Sequence, residues 1–204
     1  MKKLIIQSFL AVIIAGLGYF LFESIMEPVR FKQERLKRED VVVQRLKDIR
    51  SAQLAFKALN DSFAPTFDTL IDFIKLGQIP VVKIVPDPMD TTFTKTIKDT
   101  IGYTGVVDSL FKKDDDGVLR HFNPDRIRFV PLSDNVEFAM AIDEIKRGGV
   151  TVKVIEVQAM YKDILWDMDK QMRINFIKTL TDIDKFPGVK FGSLIEPSVD
   201  GNWE

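Results

Sequence analysis

Leu4 to Phe22 reads LIIQSFLAVIIAGLGYFLF, a stretch without a charge in which only Gln7 and Ser8 are markedly polar. An α-helix of this length spans about 29 Å, close to the roughly 30 Å thickness of a bilayer's hydrocarbon core. Tyr19 and Phe22 stand near its far end, where aromatic rings favour the lipid–water boundary. The stretch predicts a transmembrane helix over 4–22, preceded by a short tail at 1–3. Its anchor residues are Leu4, Ile5, Ile6, Phe9, Leu10, Val12, Ile13, Ile14, Leu17, Tyr19, Phe20, Leu21 and Phe22. A cleaved signal peptide is the competing reading, because Lys2 and Lys3 form a charged n-region and Gly16-Leu17-Gly18 offers small residues for cleavage. The apolar run continues past that point and outlasts a usual signal-peptide core, so the expectation is a retained anchor. With no cysteine in the chain, an acylated lipoprotein is excluded.

Working outward, the flanking charges pull the orientation two ways. Lys2 and Lys3 place the N-terminus in the cytoplasm, whereas Arg30, Lys32, Arg35, Lys37 and Arg38 on the far side count toward a cytoplasmic domain. A signal-anchor that begins at residue 4 behind a Lys-Lys flank favours the first arrangement. The expected location is therefore the inner (cytoplasmic) membrane, single-pass, with the C-terminal domain periplasmic or extracytoplasmic.

Pro28 is expected to break or kink the helix beyond the membrane. Residues 23–40 read as a charged juxtamembrane stalk, helical because Glu34 reaches Arg38 and Arg35 reaches Glu39 at i,i+4. The stalk runs into VVVQRLKDIRSAQLAFKALN, where Val42, Leu46, Ile49, Ala52 or Gln53, Phe56 and Leu59 recur at spacings of three and four. That is an amphipathic helix with one packing face. Its expected partner is the protein's own sheet, with homotypic pairing of stalk helices as the alternative.

Residues 41–204 are long enough for one domain with its own core. Asn60-Asp61-Ser62 ends the amphipathic helix, and a short helix carrying Leu70, Ile71, Phe73 and Ile74 follows Pro65 and stops at Gly77. From Ile79 to about Phe122, strand-like pieces mix with PDPMD and KKDDDG turns, and the longest irregular connections are expected there. Arg126 to Pro131, Val136 to Ile145 and Val150 to Val157 read as strands, the last two joined through Gly148-Gly149. Leu165, Met168, Met172, Phe176 and Leu180 predict one helix from Lys162 to about Leu180. Val189-Lys190-Phe191 is a final edge strand, and Trp203 folds back on the domain. The fold class is α+β: a transmembrane helix and an amphipathic helix packed on a small antiparallel sheet, with additional helices.

The segment RLKDIRSAQLAFKALNDSFAPTFDTLIDFI is similar to the stretch of pilins and pseudopilins in which a long helix ends at a turn and leads into a short one. The likeness covers residues 42–76 best. It implies a helix-plus-sheet domain of that shape and a place in a secretion, motility or fibre system. Gly18-Tyr19 with Glu23 matches the family's processing spacing by letter, but here the hydrophobic segment lies before the cut instead of after it. The charged stalk and Pro28 also depart from the continuous apolar helix of a fibre core.

Known chemistries find little footing. The chain holds 29 Lys and Arg against 30 Asp and Glu, so no global field points to nucleic acid. A single histidine, His121, beside Arg120, with no G-x-S-x-G elbow, reads as a loop residue. One histidine and no cysteine cannot build a common zinc site. Asp114-Asp115-Asp116-Gly117 fails the EF-hand pattern and reads as a solvated acidic turn. Phosphate-binding glycine loops are missing, no pair of carboxylates is singled out for hydrolysis, and Met160, Met168 and Met172 read as core filling. No cofactor is expected. The expected function is non-enzymatic: a structural or interaction subunit of a bacterial envelope assembly, with the lipid bilayer and other envelope proteins as partners. An anchored ligand-binding or sensory domain is the alternative.

Overall fold

The computed structural model describes residues 2–86, 96–112 and 119–204. The PDPMD turn and the acidic turn at Asp114-Asp116 lie largely or wholly outside the described residues, as do the side chains of Leu4 and Ile5. Helix α1 runs from Lys2 to Asn60 as one unbroken element with Pro28 inside it. The expected break at Pro28 is therefore absent. Proline's fixed φ is compatible with a helix, and its cost is one lost bond to the carbonyl four residues back plus a steric clash there. Both expected i,i+4 pairs form: Arg35 to Glu39 at 2.7 Å and Arg38 to Glu34 at 3.2 Å.

Packing on the domain begins at Phe31, inside the stretch read as stalk. Arg38 grips Asp167 through both guanidinium nitrogens and also reaches the Ile164 carbonyl, which ties the chain at 164–167 to α1. Farther along, Val42, Leu46, Ile49, Ala52 and Gln53 are completely buried. Gln53 is the polar member of this row, and its amide binds the backbone of Ala64 twice. Nε2 donates to the Ala64 carbonyl at 3.2 Å, and Oε1 accepts from the Ala64 N–H at 2.8 Å. The turn after α1 is thus clamped to the helix it leaves.

Helix α2, Phe67–Leu76, starts at Thr66, whose hydroxyl accepts from the Thr69 N–H. It ends at Gly77, whose N–H bonds the Phe73 carbonyl at 2.7 Å. A Cβ at Gly77 would collide with that carbonyl and with the Phe73 ring, so glycine is required by close approach and not by a left-handed φ.

The main sheet has the order β3-β4-β5, all antiparallel, from Ala139–Arg147, Val150–Met160 and Gly188–Gly192. Gly148 and Gly149 both take positive φ, 59° and 81°, as a tight two-residue hairpin demands. Alternation puts Ile155, Val157 and Ala159 on one face of β4. Met140 and Ile142 of β3 and Val189 and Phe191 of β5 pair with residues of that face. This face and the buried row of α1 belong to the same hydrophobic core.

Two sequence expectations are corrected. Residues 126–131 form no strand: Pro124–Arg126 is a 3-10 turn, and only Phe129 bridges to Glu137. Pro131 lacks a ladder donor, and Leu132 and Asn135 take left-handed φ, so the chain loops instead. The single helix expected over 162–180 is two, α3 at Tyr161–Ile164 and α4 at Lys170–Asp182. Asp169 caps α4 by accepting from the Met172 N–H at 2.7 Å, a use of aspartate that favours a new start over a helix interior.

Candidate functional site

Three surfaces stand out, and the first is the anchor. Among the described side chains, Ile6, Phe9, Leu10, Val12, Ile13, Ile14, Leu17, Tyr19, Phe20, Leu21 and Phe22 are all between 40% and 71% exposed. An apolar side chain left uncovered costs free energy in water and none in lipid. The chain has one helix long and apolar enough to cross a membrane among its described residues, at the N-terminus, and it is compatible with a single-pass anchor. Of the predicted packing face, Val42, Leu46 and Ile49 are fully buried and Phe56 packs on the core at its edge. Leu59 is exposed, because it lies about 80° around the helix from Ile49. The face considered for pairing with a second stalk helix is occupied by the domain's own core.

The second surface lies where the sequence suggests strand-like pieces without saying how they pair. Gln78–Pro86 and Thr96–Gly105 form a two-stranded antiparallel ribbon, β1-β2, separate from the main sheet. The register shifts between Val81 and Val82, so Val81 pairs with Gly102 and Val82 with Thr100. Ile101 is the extra residue of this bulge, so the unbulged β1 still alternates: Val81 faces one side, and Val82 faces the other with Pro80 and its partner Tyr103. All four large side chains are exposed: Val81 41%, Val82 42%, Ile101 63% and Tyr103 68%. The β1 edge carries Pro80 and Pro86, which offer no N–H to a neighbour, whereas β2 has no proline. Among the described residues β2 pairs with β1 alone, leaving its outer edge open. Alternation in β1 was hidden because valine, isoleucine and proline occupy both faces.

The third surface is a pocket of about 370 Å³ between α1 and residues 120–123. Gln44, Arg45 and Asp48 line it from α1, and Arg120, His121 and Asn123 from the loop. Asp48 is only 7% exposed and pairs with Arg120 at 2.9 Å. Burial raises the Asp48 carboxyl above its ordinary value, and the Arg120 hydrogen bond opposes that shift. Arg45 donates to the Arg126 carbonyl. Burial lowers its guanidinium, with Arg120 and Arg126 adding like-charge repulsion and Asp48 opposing. Arg120 lies 5.4 Å over the Phe122 ring, which stacks on Phe111 at 4.0 Å between centroids. His121 sits exposed at the pocket wall. The helical members recur at i, i+1 and i+4, a flank beside the buried row that reads in sequence as ordinary polar surface. Among the described residues, no group of three or more His, Cys, Asp or Glu side chains is placed to hold a metal ion.

No protein-family model, curated protein or solved structure matches this chain.

Proposed function

We propose that this chain is a membrane-anchored, non-enzymatic interaction subunit of a bacterial envelope assembly for secretion, motility or transport. Helix α1 holds it in the inner membrane, with the N-terminus cytoplasmic and the domain on the extracytoplasmic side. The observation that carries the reading is the β1-β2 ribbon. An isolated two-stranded ribbon is marginal in water, and this one exposes apolar side chains on both faces and one unblocked edge. A partner segment added along β2 supplies the missing ladder and covers Ile101 and Tyr103. The partner is an extended, apolar stretch of another envelope protein.

The test joins site-directed photo-cross-linking from Ile101 and Tyr103 in native membranes with protease treatment of spheroplasts. One discrete adduct from the ribbon, none from the exposed control position Ile183, and digestion of the domain from outside are expected. A monomer without adducts, or a domain protected from external protease, contradicts the proposal. The pocket around Asp48 favours a second reading, an anchored ligand-binding domain, which a saturable small-molecule complex would support.

A further inference from the structure

We propose that the pocket between α1 and residues 120–123 binds a small oxyanion, a carboxylate or phosphoryl group, held between Arg45 and Arg120. The inference rests on the second, ligand-binding reading and is independent of the ribbon. Its first support is a pair of guanidiniums in one lining, Arg45 and Arg120, of which Arg120 pairs with the buried Asp48 carboxylate at 2.9 Å. Asp40 and Asp48 balance these two charges among the lining residues, and Arg126, outside the lining, adds positive charge close to Arg45. Burial strengthens each of these interactions.

The second support is a set of donors without acceptors. Arg120 Nε is buried and has no hydrogen-bond partner among the described residues. Arg45 donates to a neutral backbone carbonyl, and no carboxylate pairs with it among the described residues. Buried donors left open are rare and mark the place of an ion or water. An oxyanion supplies several acceptors at once and matches the planar fork of a guanidinium. Asn123 adds amide hydrogens, because its oxygen is already used by the Asp125 N–H at 3.0 Å. Phe122 gives the site an apolar wall, so a ligand that carries its anion on a short organic body fits better than a bare ion. The volume, about 370 Å³, suits a molecule of that kind.

A purely structural role, in which Asp48 and Arg120 merely pin residues 120–123 to α1, makes different predictions. The experiment uses the full chain in nanodiscs, with inorganic phosphate and acetate as probes at matched ionic strength. Calorimetry and Trp fluorescence melting read the result. Saturable binding is expected for at least one probe, with a raised melting temperature. Arg45→Gln is expected to weaken binding about tenfold or more, the worth of a charged hydrogen bond, while the ligand-free melting temperature stays close to wild type. Arg45→Lys is expected to retain part of the affinity, and Arg147→Gln, at the β3-β4 hairpin, all of it. Arg120→Gln strands Asp48 and risks misfolding, so Arg45 carries the test. Absence of saturable binding to both probes, or equal binding by Arg45→Gln, overturns the proposal. None of these outcomes touches cross-linking from the ribbon, so the two proposals fail separately.

Discussion

Replacing Ile101 and Tyr103 together by serine removes the two most exposed large apolar side chains among the ribbon's described residues. Ile101 retains 63% and Tyr103 68% of its surface in the free chain. Full burial of a large apolar side chain contributes about 1.5–3 kcal/mol, so covering the remaining two-thirds of each contributes about 1–2 kcal/mol. The pair is therefore worth about 3 kcal/mol, roughly a hundredfold in partner affinity. The folded chain itself loses little, since neither residue belongs to the core and exposed substitutions commonly stay within about 0.5 kcal/mol. Cross-linking yield from Thr100, next to Ile101 on β2, measured in native membranes across a range of expression levels, reads the affinity. Thermal unfolding of the purified chain reads the stability. A double variant that cross-links as strongly as wild type refutes the ribbon as the docking surface. A stability loss above about 2 kcal/mol would show instead that the two side chains serve the fold.

Gln53→Leu keeps the volume of a fully buried residue but strands the N–H and C=O of Ala64. Each stranded group costs about 1–3 kcal/mol, so denaturant unfolding is expected to show a loss of about 2–6 kcal/mol, and a loss below about 1 kcal/mol would contradict the clamp. Asp48→Asn tests the buried carboxylate by its pH dependence. Because its folded-state pKa is raised, Asp48 contributes stability that is full below its ordinary value of 3.8 and is lost as pH rises through the folded value. The stability of wild type relative to Asp48→Asn should fall as pH rises from about 3 toward neutrality, and a rise would reverse the assignment. Pro28→Ala restores one backbone donor to α1 and removes a penalty of about 3 kcal/mol for an interior proline. Amide exchange between Ser24 and Phe31 should slow, and unchanged exchange would mean that the helix is already locked there by packing.

The parts of this fold that sequence reveals are those where one periodicity dominates. The row Val42, Leu46, Ile49 sits on a single helical face, and its burial follows from spacing alone. The β3-β4 hairpin is equally plain, because two glycines stand where only positive φ closes the turn. The ribbon is not, since β1 is apolar on both faces and a bulge shifts its phase. Gln53 looked interchangeable with Ala52 in the apolar row, and its role depends on Ala64 arriving beside it from across a turn. The pocket was beyond reach for a related reason. Arg45 and Asp48 acquire meaning only when Arg120, far along the chain, is folded against them.

Continuity of α1 changes what the anchor does mechanically. A broken stalk would leave the domain swivelling on a tether, free to meet partners over a wide volume. An unbroken helix whose final turns form the domain core instead fixes the domain relative to the span. Phe22 and Arg45 are separated by about 35 Å along the helix axis, which sets the reach of the pocket from the end of the predicted span. Arg38 and Asp167 brace the same rod from the side. A surface held at a fixed reach is suited to a partner that is itself membrane-bound and extends to that level. It gives no advantage to capture of freely diffusing protein. This is why a stationary assembly partner, aligned along the β2 edge, is favoured over a soluble one.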